Sequence, residues 1–153
     1  MPEFDLQNFL PFRLSRLSYE VSNRMAEIYS DQFDIGIPEW RILATLAAKK
    51  QCTAKAIVAS TRTHKSTISR AVARLSEKGW IEQISSSQDK RKHLLQLTNI
   101  GKTKFGEIKP LVEKFEKDLR AKLSSEAIAQ LTAGIGALEK ILELGPDNSQ
   151  IDK

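Results

Sequence analysis

The chain is poor in the residues that build active sites and metal centres. It holds one cysteine and two histidines. Cys52, His64 and His93 are scattered rather than clustered, so neither a metal site nor a cofactor is expected. There is no glycine-rich phosphate loop and no carboxylate pair in an evident cleft, which argues against an enzyme. A single cysteine excludes an internal disulfide and fits a reducing cytoplasm. The chain also lacks an apolar run long enough for a membrane span and a basic-then-apolar export leader. Internal repeats and low-complexity tracts are missing too. What remains is 153 residues, 41% hydrophobic and 28% charged, the balance of one soluble globular domain over 1–153.

The charge is unevenly spread. The net charge is +5, yet Thr53–His93 holds nine cations against three anions, +6 in that stretch and −1 for everything else. A local excess of this kind is the footprint of a surface that meets a polyanion.

Periodicity places this stretch in an architecture. Leu10, Leu14, Leu17, Val21, Met25 and Ile28 predict a long amphipathic helix over about 11–32, with Pro11 in its first turn. Pro38 opens a second helix, Thr53 caps a short third, and a fourth runs from about 64 to 79, where Gly79 stops it. Ile81, Ile84, Leu95 and Leu97 then read as a two-stranded hairpin with a long basic loop. Thr98 caps a fifth helix in which Gly106 and Pro110 should cause a kink. Ser124 or Ser125 opens the last helix, ended by Gly145-Pro146. The predicted fold class is mainly α with a small β wing, a winged helix-turn-helix. Helix 1 and the last helix carry apolar positions that a small lobe cannot cover by itself.

The fourth helix carries the chemistry. Ile68, Val72 and Leu75 form its buried stripe, leaving Ser66, Arg70 and Ala73 opposite, with Thr67, Ser69 and Arg74 on the shoulders. Slim polar side chains and arginines near a helix N-terminus suit the major groove of double-stranded DNA. Ser and Thr bond bases or phosphates there, and Arg forks onto guanine. Capping explains one such residue, not three. In the loop, Lys90, Arg91 and Lys92 could reach a neighbouring minor groove, with Asp89 holding Arg91 in place.

"KSTISRAVARLSEKGWIE", the Asp89/Arg91 pair and "LLQLTNIGK" together resemble the MarR (multiple antibiotic resistance regulator) family of bacterial winged-helix regulators, over about residues 9–144. The resemblance implies base reading from Lys65 to Arg70, Arg91 in the minor groove oriented by Asp89, and a homodimer. The lobe would be about 36–98, the dimerisation helices about 8–35 and 99–145, and 146–153 a flexible tail. One departure is the turn before the fourth helix, where Arg62 and Thr63 replace the family's usual glycine and apolar residue. A left-handed Arg62 is uncomfortable by roughly 1 kcal/mol, so either the turn differs in shape from the family's or a phosphate contact gives that strain a purpose. His64 could contact phosphate likewise, or simply cap the helix.

The family also implies control by a small molecule. Phe12, Arg16 and Leu17 on helix 1 and Trp40 on helix 2 are the candidate effector residues, and an aromatic wall with one cation suits an aromatic carboxylate. The wording "PFRLSRLS…PEWRILATL" is most similar to regulators of aromatic-acid catabolism. Trp40 can equally be a core aromatic and Arg16 a surface ion pair. Expected partners are therefore DNA, a second copy and an aromatic carboxylate, with no membrane; the expected role is a cytoplasmic repressor. The alternatives are a winged helix used for protein contacts and a thiol sensor acting through Cys52.

Overall fold

A computed structural model describes residues 3–85, 88, 91 and 93–145. A 3-10 turn at Leu6–Asn8 leads into α1 (Leu10–Phe33), followed by α2 (Ile37–Lys49), β1 (Gln51–Cys52), α3 (Ala54–Thr61) and α4 (Lys65–Glu77). Then come β2 (Ile81–Ser85), β3 (His93–Leu97), α5 (Asn99–Ala121) and α6 (Ser125–Ile141). No described helix is long and apolar enough to cross a membrane.

Local chemistry sets the helix starts. Thr53, Thr98 and Ser124 each accept a bond from the backbone N–H three residues on, at 3.1, 3.0 and 3.1 Å. Each thereby satisfies an N–H that the first helical turn leaves without a partner. Gly79 lies in the left-handed region at φ 71° and turns the chain from α4 into the sheet.

The sheet has three antiparallel strands in the order β1-β3-β2, where the sequence suggests only a hairpin. Gln51 pairs with Gln96 and Cys52 with Leu95, while Ile81 pairs with Leu97 and Ser85 with His93. A polar row crosses its exposed face: Gln51 Nε2 donates to Gln96 Oε1 at 3.0 Å, and Gln96 Nε2 to Glu82 Oε1 at 2.7 Å. Beneath lie Ile81, Leu95 and Leu97 with Ile42, Leu43, Leu46, Ile57, Ile68 and Leu75 from α2, α3 and α4.

The junction of sheet and α5 is close-packed. Thr98 Oγ1 donates to the Gly79 carbonyl at 2.5 Å, and the Thr98 N–H to the Trp80 carbonyl at 3.0 Å. A Cβ on Gly101 would stand 1.8 Å from that Trp80 oxygen, so only glycine fits there. α5 runs from Asn99 to Ala121 as one helix with Pro110 inside it. The carbonyl that Pro110 cannot bond belongs to Gly106, an exposed position that solvent can serve.

The core stops short of both ends of the chain. α1 buries only Tyr29 and Phe33, at its C-terminal end, and α6 buries nothing. Every exposed large apolar residue described, except Ile100, lies within 4–21 or 119–144. These helices bear apolar faces that one chain leaves uncovered.

Candidate nucleic-acid interface

α3, a short turn and α4 form the helix-turn-helix. Arg62 sits in that turn at φ 53°, so it takes the left-handed conformation a glycine would favour instead of changing the shape of the turn. Its guanidinium bonds the Ala59 carbonyl, closing the C-terminus of α3 with a cation. Arg41 of α2 braces the turn, Nη1 donating to Thr63 Oγ1 at 3.3 Å. His64 is the N-cap of α4: Nδ1 accepts from the Ser66 N–H at 3.1 Å and lies 2.7 Å from Ser66 Oγ. His64 and Ser66 are thus tied together at the exposed tip of the helix.

α4 presents the polar face that its sequence suggests. Lys65, Ser66, Ser69 and Arg70 are exposed and Thr67 half-buried. The buried stripe is Ile68, Ala71 and Leu75, with Val72 only partly covered. Small Ala71 in that stripe lets α4 lie close against its neighbours.

Arg74 is exposed on the shoulder of α4 and also holds a partner on α2. Its Nη2 pairs with Glu39 Oε1 of α2, whose side chain is only 3% exposed. Glu39 Oε2 also accepts the Gly36 N–H at 3.1 Å, at the start of α2. Taking Arg74 away would strand a buried carboxylate, a penalty of about 3–5 kcal/mol in fully buried pairs. Arg74's own side chain is 60% exposed, which lowers that figure. Sequence reasoning overlooked Glu39; its position three residues after Gly36 at a helix start was the available signal.

The wing is β2, β3 and the segment between them. Arg91 is exposed in a turn there, while Asp89, Lys90 and Lys92 lie outside the described residues. The suggested Asp89–Arg91 pairing lies outside them too.

The four effector candidates do not come together within one chain. Arg16 lies over the Phe12 ring at 5.1 Å, and its Nη1 donates to Gln7 Oε1 at 2.8 Å. Leu17 beside them is 55% exposed. Trp40 instead stacks between Tyr29, 5.8 Å away, and Phe105, 5.7 Å away. Tyr29 lies further along α1 than Phe12 and Arg16 by roughly 20–25 Å at 1.5 Å per residue. Trp40 thus takes the core-aromatic reading, and two open clefts in the fold include none of the four. Burial holds the Tyr29 phenol protonated, its pKa pushed up to about 12, with nearby Arg41 opposing and Glu39 reinforcing the shift. Cys52 is buried at 8% exposure on β1, an apolar setting that keeps a thiol inert and does not favour a sensor.

A sequence profile described as MarR family matches residues 33–92, from the end of α1 to the wing. The HTH-type transcriptional regulator PecS of Dickeya dadantii is 29% identical over 148 residues, covering 92% of this chain and 87% of that protein. YwoH of Bacillus subtilis, an uncharacterized HTH-type transcriptional regulator, is 30% identical over 96 residues, 63% of this chain and 69% of YwoH. The chain belongs to the MarR family. A solved MarR family transcriptional regulator from Silicibacter pomeroyi DSS superposes with a TM-score of 0.78 at 28% identity, covering 93% of this chain and 97% of that one. The relatives of this MarR-family chain are transcriptional regulators, not enzymes. The six helices and small antiparallel sheet are the winged-helix fold of that family.

Proposed function

We propose that this MarR-family protein is a sequence-specific DNA-binding regulator, a cytoplasmic repressor that acts as a homodimer and leaves its operator when a small aromatic carboxylate binds. The observation that carries the reading is α4. Its Ile68, Ala71 and Leu75 are buried, and Ser66, Ser69 and Arg70 project from the exposed side near the N-terminus. That arrangement presents Ser69 and one forked cation, Arg70, to base edges, with the Ser66 hydroxyl beside them on its bond to His64. Lys65, Thr67, His64 and Arg62 flank them as phosphate contacts, and Arg91 with Asp89, Lys90 and Lys92 forms the wing contact.

The homodimer rests on the uncovered apolar residues of 4–21 and 119–144, which a two-fold partner would bury. Two reading helices would then lie about 34–36 Å apart, facing a pseudo-palindromic operator. The effector reading rests on Arg16 over the Phe12 ring, a cation and an aromatic side chain held together near the start of α1. A protein-interaction role for the winged helix does not account for three short polar side chains beside Arg70.

Anisotropy titration against a duplex selected by the protein from a random-sequence pool tests the central reading. Arg70→Ala is expected to weaken the selected duplex by about 1–3 kcal/mol and to relax preference at one base position. Equal weakening of every sequence would remove Arg70 from base reading, and no salt-dependent affinity for any duplex would refute the DNA-binding role.

A further inference from the structure

The α1–α2 turn and the second half of α4 face each other across a cleft lined by Asp34, Gly36, Glu39, Arg74, Glu77 and Lys78. Two ion pairs span it, and they differ in kind. Lys78 Nζ meets Asp34 Oδ2 at 2.9 Å, but the Asp34 side chain is 93% exposed, so water screens the pair. The Glu39 carboxylate is buried, and each of its oxygens holds one donor: Arg74 on Oε1, the Gly36 N–H on Oε2. Those donors belong to different elements, α4 and the start of α2. A buried carboxylate with both oxygens engaged is costly to strip of either partner, so it ties α4 to the start of α2.

We propose that Glu39 is a positioning residue for sequence reading: through Arg74 it sets the angle at which α4 presents Ser66, Ser69 and Arg70, without touching DNA. The inference rests on α4 being the reading helix. Arg74 lies one helical turn beyond Arg70 on the same side of α4, so a tilt at Arg74 displaces the Arg70 guanidinium. Forked contacts to a base edge demand defined geometry, whereas phosphate contacts from long cations fix position without carrying sequence information. Loss of Glu39 therefore falls on discrimination between sequences, not on attraction to DNA as such.

Electrostatics alone gives the opposite sign, which makes the role testable. Glu39→Gln removes a negative charge beside a DNA-facing surface and by charge alone tightens binding to every duplex. Wild type, Glu39→Gln, Arg74→Gln, the double variant and Asp34→Asn are titrated against the selected duplex and a scrambled duplex of equal length. The temperature is one at which circular dichroism shows each protein folded. Glu39→Gln is expected to cut the ratio of selected to scrambled affinity on the order of tenfold, with scrambled affinity equal or higher. The double variant should discriminate no worse than the poorer single one, because both act through one contact. Asp34→Asn should keep the wild-type ratio. An unchanged ratio in Glu39→Gln, or losses that multiply in the double variant, overturns the proposal. Should Glu39→Gln fail to fold, Arg74→Lys keeps the charge but not the guanidinium fork; it should lower the ratio, and an unchanged ratio again overturns the proposal. A wild type that enriches no duplex defeats the DNA reading and this inference together. Enrichment with full discrimination by Glu39→Gln defeats this inference alone.

Discussion

Arg62 joins a backbone strain to a surface charge, and the two can be separated. Its φ of 53° is a conformation that glycine adopts without penalty. Arg62→Gly should raise stability by up to about 1 kcal/mol in chemical unfolding, offset in part by the greater freedom of glycine in the unfolded chain. The same change should weaken all duplexes alike and reduce the salt slope by about one phosphate's worth. A stability gain with unaltered DNA affinity would leave Arg62 as a turn residue only. Tyr29 offers a pH test. Burial pushes its pKa from 10.0 to about 12, so the unfolded chain loses this proton first as pH rises. The stabilisation is complete below pH 10 and should fall by about 1–3 kcal/mol between pH 10 and 12. Tyr29→Phe should flatten that alkaline limb; an unchanged limb would assign it to other groups. The strain at Arg62 was legible from a missing glycine, but not that the chain would accept it with the left-handed turn intact. Glu39 was not, because its partner Arg74 lies 35 positions away and a charged residue in a first turn reads as ordinary capping.

Among the elements, the start of α5 is the most exacting. Thr98 caps the helix while bonding back to Gly79, and Gly101 lets the helix touch the Trp80 carbonyl. Gly101→Ala gains helix propensity of about 1 kcal/mol on its own. The 1.8 Å clash with backbone oxygen outweighs it, since backbone cannot swing away as a side-chain tip can. A net loss of about 1–3 kcal/mol is expected from overpacking, read as a lower unfolding midpoint. A midpoint at or above wild type would show that α5 shifts freely against the sheet. The helices were legible because each combines a cap with three- or four-residue apolar steps. β1 was not: two residues are too short to alternate, and the strand exists only because β3 offers an edge for Gln51 and Cys52.

At the scale of the molecule, apolar residues at both ends of the chain lie exposed, and the proposed homodimer would cover them. Leu131 and Ile135 on α6 are 48% and 45% exposed, one turn apart on the same face. Ile135→Asp should leave the winged-helix lobe folded and yield a monomer by sedimentation velocity, with operator affinity reduced to that of a single reading helix. A dimer that survives both Leu131→Asp and Ile135→Asp would place the interface elsewhere. The family resemblance grouped Trp40 with Phe12 and Arg16 as candidate effector residues, but the length of α1 sets them apart within one chain.

Hydroxyl-radical footprinting of the selected duplex tests paired α4 helices reading DNA most directly. Two protected segments should lie on one face of the duplex, centred about 10–10.5 base pairs apart and related by an approximate dyad. A single protected patch, or two patches on opposite faces, would mean that no pair of α4 helices reads DNA in register.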